Sequence, residues 1–384
     1  MAPYPPCWLS APHSAWISRP PASRWGASLA DEVYCYVPSA SQTEKEDSQR
    51  EGVKLVVAPG PGSERERLLR RPPLPAGTKP DFIIGHGRIT GHAALSLVAD
   101  HFPNSQRIHF LHAAPGRIEW FTEQDVSKDA AETADAREQF ELELAGAAQL
   151  LVAVGPRLQR EYERLLHPRS RKVHAFVPGL SAVEPLDGPP RDVQILLPGR
   201  AEDATLKGLD IATRAVALAS KSTQFVNEKL ILLVRGAPAR TGEQLRKDLY
   251  GASGSTAFDL RVKPYSANAE HILSDMQQSS LVLMPSRSEG FGLVGLEAIS
   301  AGVPVLLSNR SGLAELINSL APQDASHHVV QMHEEGDGMA RKWAGEIVFI
   351  LRDRSASFPR VRRCGVTCKT RFPGASRSRA CSMN

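Results

Sequence analysis

Apolar residues in this chain come in short blocks of four to six, divided by longer stretches with helical spacing. Blocks of this length and composition read as buried strands, and the stretches between them as covering helices. In the first half, strands are predicted at Glu32–Val37, Val53–Ala58, Asp81–Gly85, Arg107–His112, Gln149–Val154 and His174–Val177. Helices are predicted at Gly91–His101, Asp129–Ala148 and Pro156–Leu166, the last with proline in the tolerated first turn. Glu44–Glu51 is a charged stretch between the first two strands.

Pro185–Arg191 (PLDGPPR) reads as an exposed linker, after which the alternation restarts. Strands are predicted at Asp192–Leu197, Leu230–Arg235, Asp259–Val262, Leu281–Pro285 and Pro304–Ser308. The intervening helices are Gly208–Ser220, Gly242–Gly251, Ala269–Gln277, Gly292–Ala301 and Leu313–Ser319. Strands alternating with helices imply parallel sheets covered on both faces. Two such halves joined by a linker imply two domains facing across a cleft, with ligands at the carboxyl ends of the strands.

Periodicity is missing at both ends. Residues 1–30 are rich in proline and serine and are expected to be disordered. A helix fits within 335–351, and 352–384 has no core face. The expected organisation is therefore a disordered segment 1–30, a domain 31–184, a linker 185–191, a domain 192–335, and a basic, largely disordered tail 336–384.

Composition changes this picture little. The length of 384 residues suits two domains, and 42% hydrophobic with 23% charged residues is ordinary for a globular protein. No apolar run approaches the roughly 20 residues of a membrane span, and no signal-peptide pattern opens the chain. The expected location is cytoplasmic, with peripheral membrane contact left open. Five scattered cysteines do not suggest a disulfide framework, and no metal site is expected. The net charge of +4 is carried by the tail, where nine Lys/Arg from Arg352 onward face one acid, Asp353. Aromatic interleaving there is limited to Phe358 and Phe372, so no nucleic-acid partner is expected.

The candidate chemistry lies in Ser286–Ala298, SRSEGFGLVGLEA. It follows an apolar strand and opens a helix, where unpaired N–H groups and the dipole favour an anion such as a diphosphate. Gly290 and Gly292 let the backbone approach such a ligand. Glu289 and Glu297 flank the turn, and a carboxylate there can accept hydrogen bonds from vicinal hydroxyls. Alone, two glutamates would read as a helix cap and a solvated charge. The glycines, the preceding strand and the following AGVPVLLS favour a site. Upstream, LLPGRAEDATLKGLDIATRAV places Arg200 and Lys207 after another apolar strand, as cations suited to phosphate oxygens.

EGFGLVGLEAISAGVPVL resembles the signature of the retaining family 4 glycosyltransferases, which have the GT-B fold of two Rossmann-like domains. The resemblance implies that Glu289 lies beside the donor sugar and Glu297 on the nucleotide ribose. It places Gly290, Phe291, Gly292 and Leu293 on sugar and phosphate, and Arg200 and Lys207 on the diphosphate. It gives the loop at Arg261–Tyr265 to the base pocket, and Ser311–Glu315 is similar to the family's small-residue turn. In the first half, strand alternation puts His109 and His112 on opposite faces, with His112 at the carboxyl end. The resemblance makes His112 the histidine near the reacting sugar and His86 a substrate-binding residue.

The ends depart from the family. The resemblance would require an opening strand and glycine-rich loop before Glu32 and a closing helix within 352–384, and neither is legible. The expected function is retaining transfer of a hexose from a nucleoside-diphosphate sugar to an unknown acceptor, without a cofactor. The alternative is a catalytically impaired sugar-nucleotide or carbohydrate-binding module drawn from a larger protein.

Overall fold

A computed structural model describes residues 15–19, 32–118, 128–167, 171–180, 183–199, 203–225, 228–238, 240–266, 268–332 and 336–371. The chain divides into two compact units, Met1–Gly116 with Ala131–Phe176, and Arg117–Ala130 with Val177–Asn384.

The first unit holds β1 (Ala15–Arg19), β2 (Glu32–Val37), α1 (Gln42–Arg50), β3 (Val53–Val57), α2 (Glu64–Leu68), β4 (Phe82–His86) and α3 (Gly87–Asp100). It continues with β5 (Gln106–Leu111), α4 (Pro115–Ile118), α5 (Lys128–Gly146), β6 (Leu150–Val154), α6 (Pro156–Leu165) and β7 (Val173–Phe176). Its sheet runs β3-β2-β1-β4-β5-β6-β7, the Rossmann order. Every neighbouring pair is parallel except those of β1, which runs antiparallel to both β2 and β4.

That strand corrects the expectation for the opening segment. A strand does fill the central position, inside residues expected to be disordered. Its direction is reversed: Arg19 pairs with Glu32 at the amino end of β2. The carboxyl end of β1 therefore lies at the sheet edge opposite the carboxyl ends of β4 and β5. Residues 20–31, where the family's glycine-rich loop was sought, lie outside the described residues. The charged stretch at Glu44–Glu51 lies in α1 and its C-cap. Ser41 and Glu44 form a reciprocal capping box that starts α1.

Alternation along β5 decides how this sheet is covered. Arg107, His109 and Leu111 are buried. They lie on the face taken by α3, α5 and α6, where Arg107 donates to the Leu144 carbonyl and Leu111 packs with Leu158 and Tyr162. Ile84, Ile108 and Phe110 point to the other face and stay partly exposed, as do Leu150 and Phe176 toward the β7 edge.

The second unit holds β8 (Gln194–Pro198), α7 (Ala204–Lys207), α8 (Leu209–Ala219), β9 (Ile231–Ala237), α9 (Gly242–Ser253), β10 (Asp259–Pro264), α10 (Ala269–Gln277), β11 (Leu281–Met284) and α11 (Leu293–Ser300). After these come β12 (Val305–Ser308), α12 (Gly312–Leu320), α13 (Pro322–Ala325), β13 (Val329–Val330), α14 (Asp337–Arg352) and α15 (Arg354–Arg371). Its sheet is all parallel, in the order β10-β9-β8-β11-β12-β13. The helix α8 is apolar nearly all round because it lies under α14, with Leu209, Ala212, Ala215 and Val216 fully buried. Trp343 of α14 completes that core and its Nε1 donates to the Met332 sulfur at 3.3 Å.

The expectation of a disordered tail is corrected as well. Residues 337–371 form two helices, and α15 buries Phe358, Val361, Cys364 and Cys368 while packing on α11, α12 and α14. A helical spacing of apolar residues is present there, but cations on the other face obscure it. Residues 372–384 lie outside the described residues. The segment expected to be an exposed linker is tied to the second unit. Leu186 N–H donates to Ala301 O at 2.9 Å, and Arg354 reaches the Pro190 carbonyl at 3.0 Å. Among the described residues, no helix is long and apolar enough to cross a membrane.

Candidate active site

In the second sheet, β8 and β11 are neighbours, while the chain leaves β8 toward β9 and leaves β11 toward β12. A crevice opens at such a reversal, at the carboxyl ends of the strands. Lys207, beyond β8, and Glu289, beyond β11, meet there. The Lys207 ammonium donates to Glu289 Oε2 at 2.7 Å, and both side chains are largely shielded from solvent. Ser286 Oγ lies 3.4 Å from the same oxygen. Gly199 gives the lysine stem room to lie against the backbone, since a Cβ there would crowd Lys207 Cβ and Cγ.

A clip beside the pair holds these turns together. Arg287 donates to both carboxylate oxygens of Asp210 at 2.8 Å each, and its Nη1 also reaches Thr205 O at 2.6 Å. Its backbone N–H donates to Leu206 O at 2.8 Å. Burial acts to raise the Asp210 pKa, but the Arg287 hydrogen bond and charge outweigh it and hold the carboxyl below its usual range. Gly208 sits between Lys207 and α8 at φ 68°, and a Cβ there would collide with the Pro285 carbonyl.

The backbone from Glu289 to Leu293 is fixed against the next βα turn. Glu289 N–H donates to Arg310 O at 3.1 Å, and Leu313 N–H donates to Phe291 O at 2.7 Å. Gly312 permits this approach, because a Cβ would strike the Gly290 carbonyl. Gly292, at φ 102°, turns the chain into α11. Its carbonyl accepts from Gly295 and Leu296 N–H, and the N–H groups of Leu293 and Val294 come before that first internal donor, Gly295. These are the groups with which a helix meets an anion. Glu297, one turn further on, is half-buried. Its carboxylate has no partner among the described residues, and burial pushes its pKa up to about 7. Arg200 lies outside the described residues.

Of the other segments expected here, the end of β10 holds Lys263 against Asp275 at 2.7 Å, and the loop after it leaves Tyr265 59% exposed. Asp275 also pairs with Arg235. Ser311 caps α12, its Oγ accepting from Ala314 N–H at 3.1 Å.

In the first unit, His86 ends β4 and His112 follows β5. His86 Nδ1 and His112 Nε2 are 2.7 Å apart. Burial, reinforced by neighbouring histidines, pushes the two pKa values down to about 3 and about 4, so both rings are neutral near pH 7. The Nε2 of His86 is buried with no partner among the described residues. His109 turns to the other face, as alternation requires, and meets Glu141 of α5 at 2.7 Å. Gly91 makes room for that ring. Neither Glu141 nor the Arg287–Asp210 clip was singled out from sequence, where each is one charge among many on a helix or turn.

The family model for family 4 glycosyltransferases in conflict systems matches residues 26–373. Among curated proteins, the D-inositol 3-phosphate glycosyltransferase of Streptomyces avermitilis is 29% identical over 258 residues, covering 62% of this chain and 53% of that one. The Streptomyces coelicolor protein of the same name is 35% identical over 131 residues, covering 33% of this chain and 28% of its own. The chain thus spans about half the length, or less, of these curated relatives. Among solved structures, sucrose-phosphate synthase from Thermosynechococcus elongatus superposes with a TM-score of 0.61 at 19% identity, covering 85% of this chain and 81% of that one. An S. aureus TarM variant superposes with a TM-score of 0.55 at 13% identity, covering 77% and 54%. These likenesses establish the GT-B fold.

Proposed function

Because the chain belongs to the family 4 glycosyltransferases in conflict systems, we propose that it transfers a hexose, with retention, from a nucleoside-diphosphate sugar to a hydroxyl acceptor. The observation that carries this reading is the Lys207–Glu289 pair at the switch point of the second sheet. A departing nucleoside diphosphate gains negative charge as the glycosidic bond breaks. Lys207, with Arg200 and the opening N–H groups of α11, supplies positive potential where that charge develops. Without a donor, Glu289 neutralises the ammonium. With a donor, the diphosphate takes over the ammonium and Glu289 turns its acceptor oxygens to the sugar hydroxyls.

Glu297 fits the ribose. Its carboxylate has no partner among the described residues, so two vicinal hydroxyls would satisfy oxygens that are otherwise poorly solvated. Gly290, Phe291, Gly292 and Leu293 bring backbone to the sugar and phosphates. His112, with His86 behind it, offers a neutral hydrogen-bonding group to the reacting sugar. The curated relatives carry the name of a D-inositol 3-phosphate glycosyltransferase, which supports a hydroxyl of a cyclic polyol as one acceptor to test.

The test is calorimetry and thermal shift with UDP, GDP and ADP, followed by donor hydrolysis and transfer assays with the matching sugar nucleotides. One nucleotide should raise the melting temperature, and Glu297→Ala should remove the shift. Binding with no turnover of any sugar nucleotide would leave a sugar-nucleotide-binding module and sink the transferase reading.

A further inference from the structure

We propose that a cleft beside the amino ends of the second sheet binds a small α-amino acid, with its carboxylate on Arg354 and its ammonium on Glu228. The site is separate from the donor site and does not rest on the transfer reading.

The cleft has a volume of about 360 Å³ and lies where α14 turns into α15, against the turn at Thr223–Phe225. That volume is at the small end of ligand pockets. Its place follows from Arg354, whose Nη1 reaches the Arg191 carbonyl and Ser280 Oγ at 3.4 Å each. Arg191 comes shortly before β8 and Ser280 directly before β11. The cleft is therefore at the end of the sheet opposite Lys207 and Glu289.

Two of the charged residues lining it are already engaged. Asp353 Oδ1 accepts from Ala356 N–H at 3.0 Å, and the Arg352 guanidinium lies over the Phe349 ring at 5.7 Å. Arg354 and Glu228 remain. Every hydrogen bond of Arg354 uses Nη1, to the Pro190 and Arg191 carbonyls and Ser280 Oγ, and these fix its guanidinium. Its Nη2 stands 3.7 Å from a Glu228 carboxylate oxygen, too far for a hydrogen bond. The Glu228 side chain is half exposed and has room to swing. The result is a fixed cation beside a movable anion, each with hydrogen-bonding capacity to spare.

That pairing decides the ligand class. A simple anion would meet Arg354 but be repelled by Glu228, and a simple cation would meet the reverse. A zwitterion with both charges on one carbon satisfies both: its carboxylate accepts from Arg354 while its ammonium donates to Glu228. Phe225 and Leu351, buried members of the core, give one apolar wall, and the exposed Gln224 and Ser355 offer an amide and a hydroxyl. These neighbours suit a small or polar side chain.

The experiment is calorimetry on the full chain with glycine, L-serine and L-glutamine, with the N-acetyl and methyl ester forms of whichever binds, and with inorganic phosphate. At least one amino acid should bind with a Kd of about 1 mM or below. Both blocked forms, each lacking one charge, should bind at least about tenfold more weakly. Glu228→Gln should weaken binding about tenfold and leave a urea melt unchanged, since an exposed ion pair of this length adds little stability. Gln224→Trp, which fills the cleft from an exposed position, should abolish binding. Four results would each overturn the site: no amino acid binding at about 10 mM, a blocked form or phosphate binding as tightly as the amino acid, wild-type affinity in Glu228→Gln, or wild-type affinity in Gln224→Trp. Nucleotide binding at Lys207 lies at the other end of the sheet and should be the same in both variants, so a failed donor reading and a failed amino-acid site remain distinguishable.

Discussion

Lys207 and Glu289, 82 residues apart in sequence, close a 2.7 Å ion pair across the switch point of the second sheet. The pair neutralises a largely shielded cation, which under the proposed function a donor diphosphate would take over. Glu289→Gln keeps the shape of the side chain and removes its charge. It should lower the transfer rate about 10²- to 10³-fold, as loss of one transition-state group does elsewhere. Nucleoside-diphosphate affinity should hold or tighten, since Lys207 loses a competitor. Lys207→Met should weaken nucleotide binding instead. Initial rates with calorimetry separate the two, and equal loss of nucleotide affinity in both variants would contradict the exchange.

Arg287 and Asp210 act on that pair at one remove. Their two 2.8 Å hydrogen bonds fix the Glu289 turn to the start of α8, directly after Lys207. Arg287→Lys keeps the charge and loses the fork. We expect nucleotide affinity to fall about tenfold, with a stability loss of about 1 kcal/mol. Denaturant melts and calorimetry check both figures. Wild-type affinity in Arg287→Lys would show that the backbone bonds alone set the geometry.

Much of this was legible beforehand. The β8–β12 repeat was readable because β8, β9 and β11 are apolar blocks ended by Gly or Pro, and Ala269–Gln277 is found where helical spacing put it. The Glu289–Glu297 turn was readable because glycines mark where backbone must come close. The α15 helix was not, because its inward residues Phe358, Val361, Cys364 and Cys368 alternate with arginines that dominate a local count. The strand at Ala15–Arg19 is five residues long among prolines, and its place comes from pairing with β2 and β4 rather than from its own pattern. The partners Glu141 and Asp210 are contacts made by tertiary packing, to which sequence spacing is blind.

Glu297 predicts opposite pH trends for stability and binding. Burial raises its pKa from 4.5 to about 7 in the folded chain, so the folded state holds the proton more tightly than the unfolded one. This contribution to stability is fully present below about pH 4.5 and is lost as pH rises through 7. It is on the order of 3–4 kcal/mol at about 1.4 kcal/mol per pKa unit. Ribose hydroxyls donate to the ionised form, so nucleotide affinity should rise over the same interval. Denaturant melts and calorimetry from pH 5 to 8.5 read both trends, and Glu297→Gln should flatten both. A variant that keeps the wild-type slopes would assign them to another group.

The last helix is a structural part of the second unit, and its removal tests that. Phe358 and Val361 are fully buried by α15 against neighbouring helices, and Arg354 anchors its start to the Pro190 carbonyl. Burying a side chain of this size contributes about 1.5–3 kcal/mol, and truncating one in a core costs about 3–5. Phe358→Ala should therefore lower the unfolding free energy by about 3–5 kcal/mol in a urea melt. Stopping the chain after Asp353 should expose the α11 and α12 surfaces and raise binding of a hydrophobic dye. Removing only 372–384 should change neither measurement. If deletion from Arg354 left the melt unaltered, the basic tail would be dispensable, as its composition alone suggests. If Phe358→Ala alone reproduced most of the loss, the helix would owe its place to its apolar face rather than to its arginines.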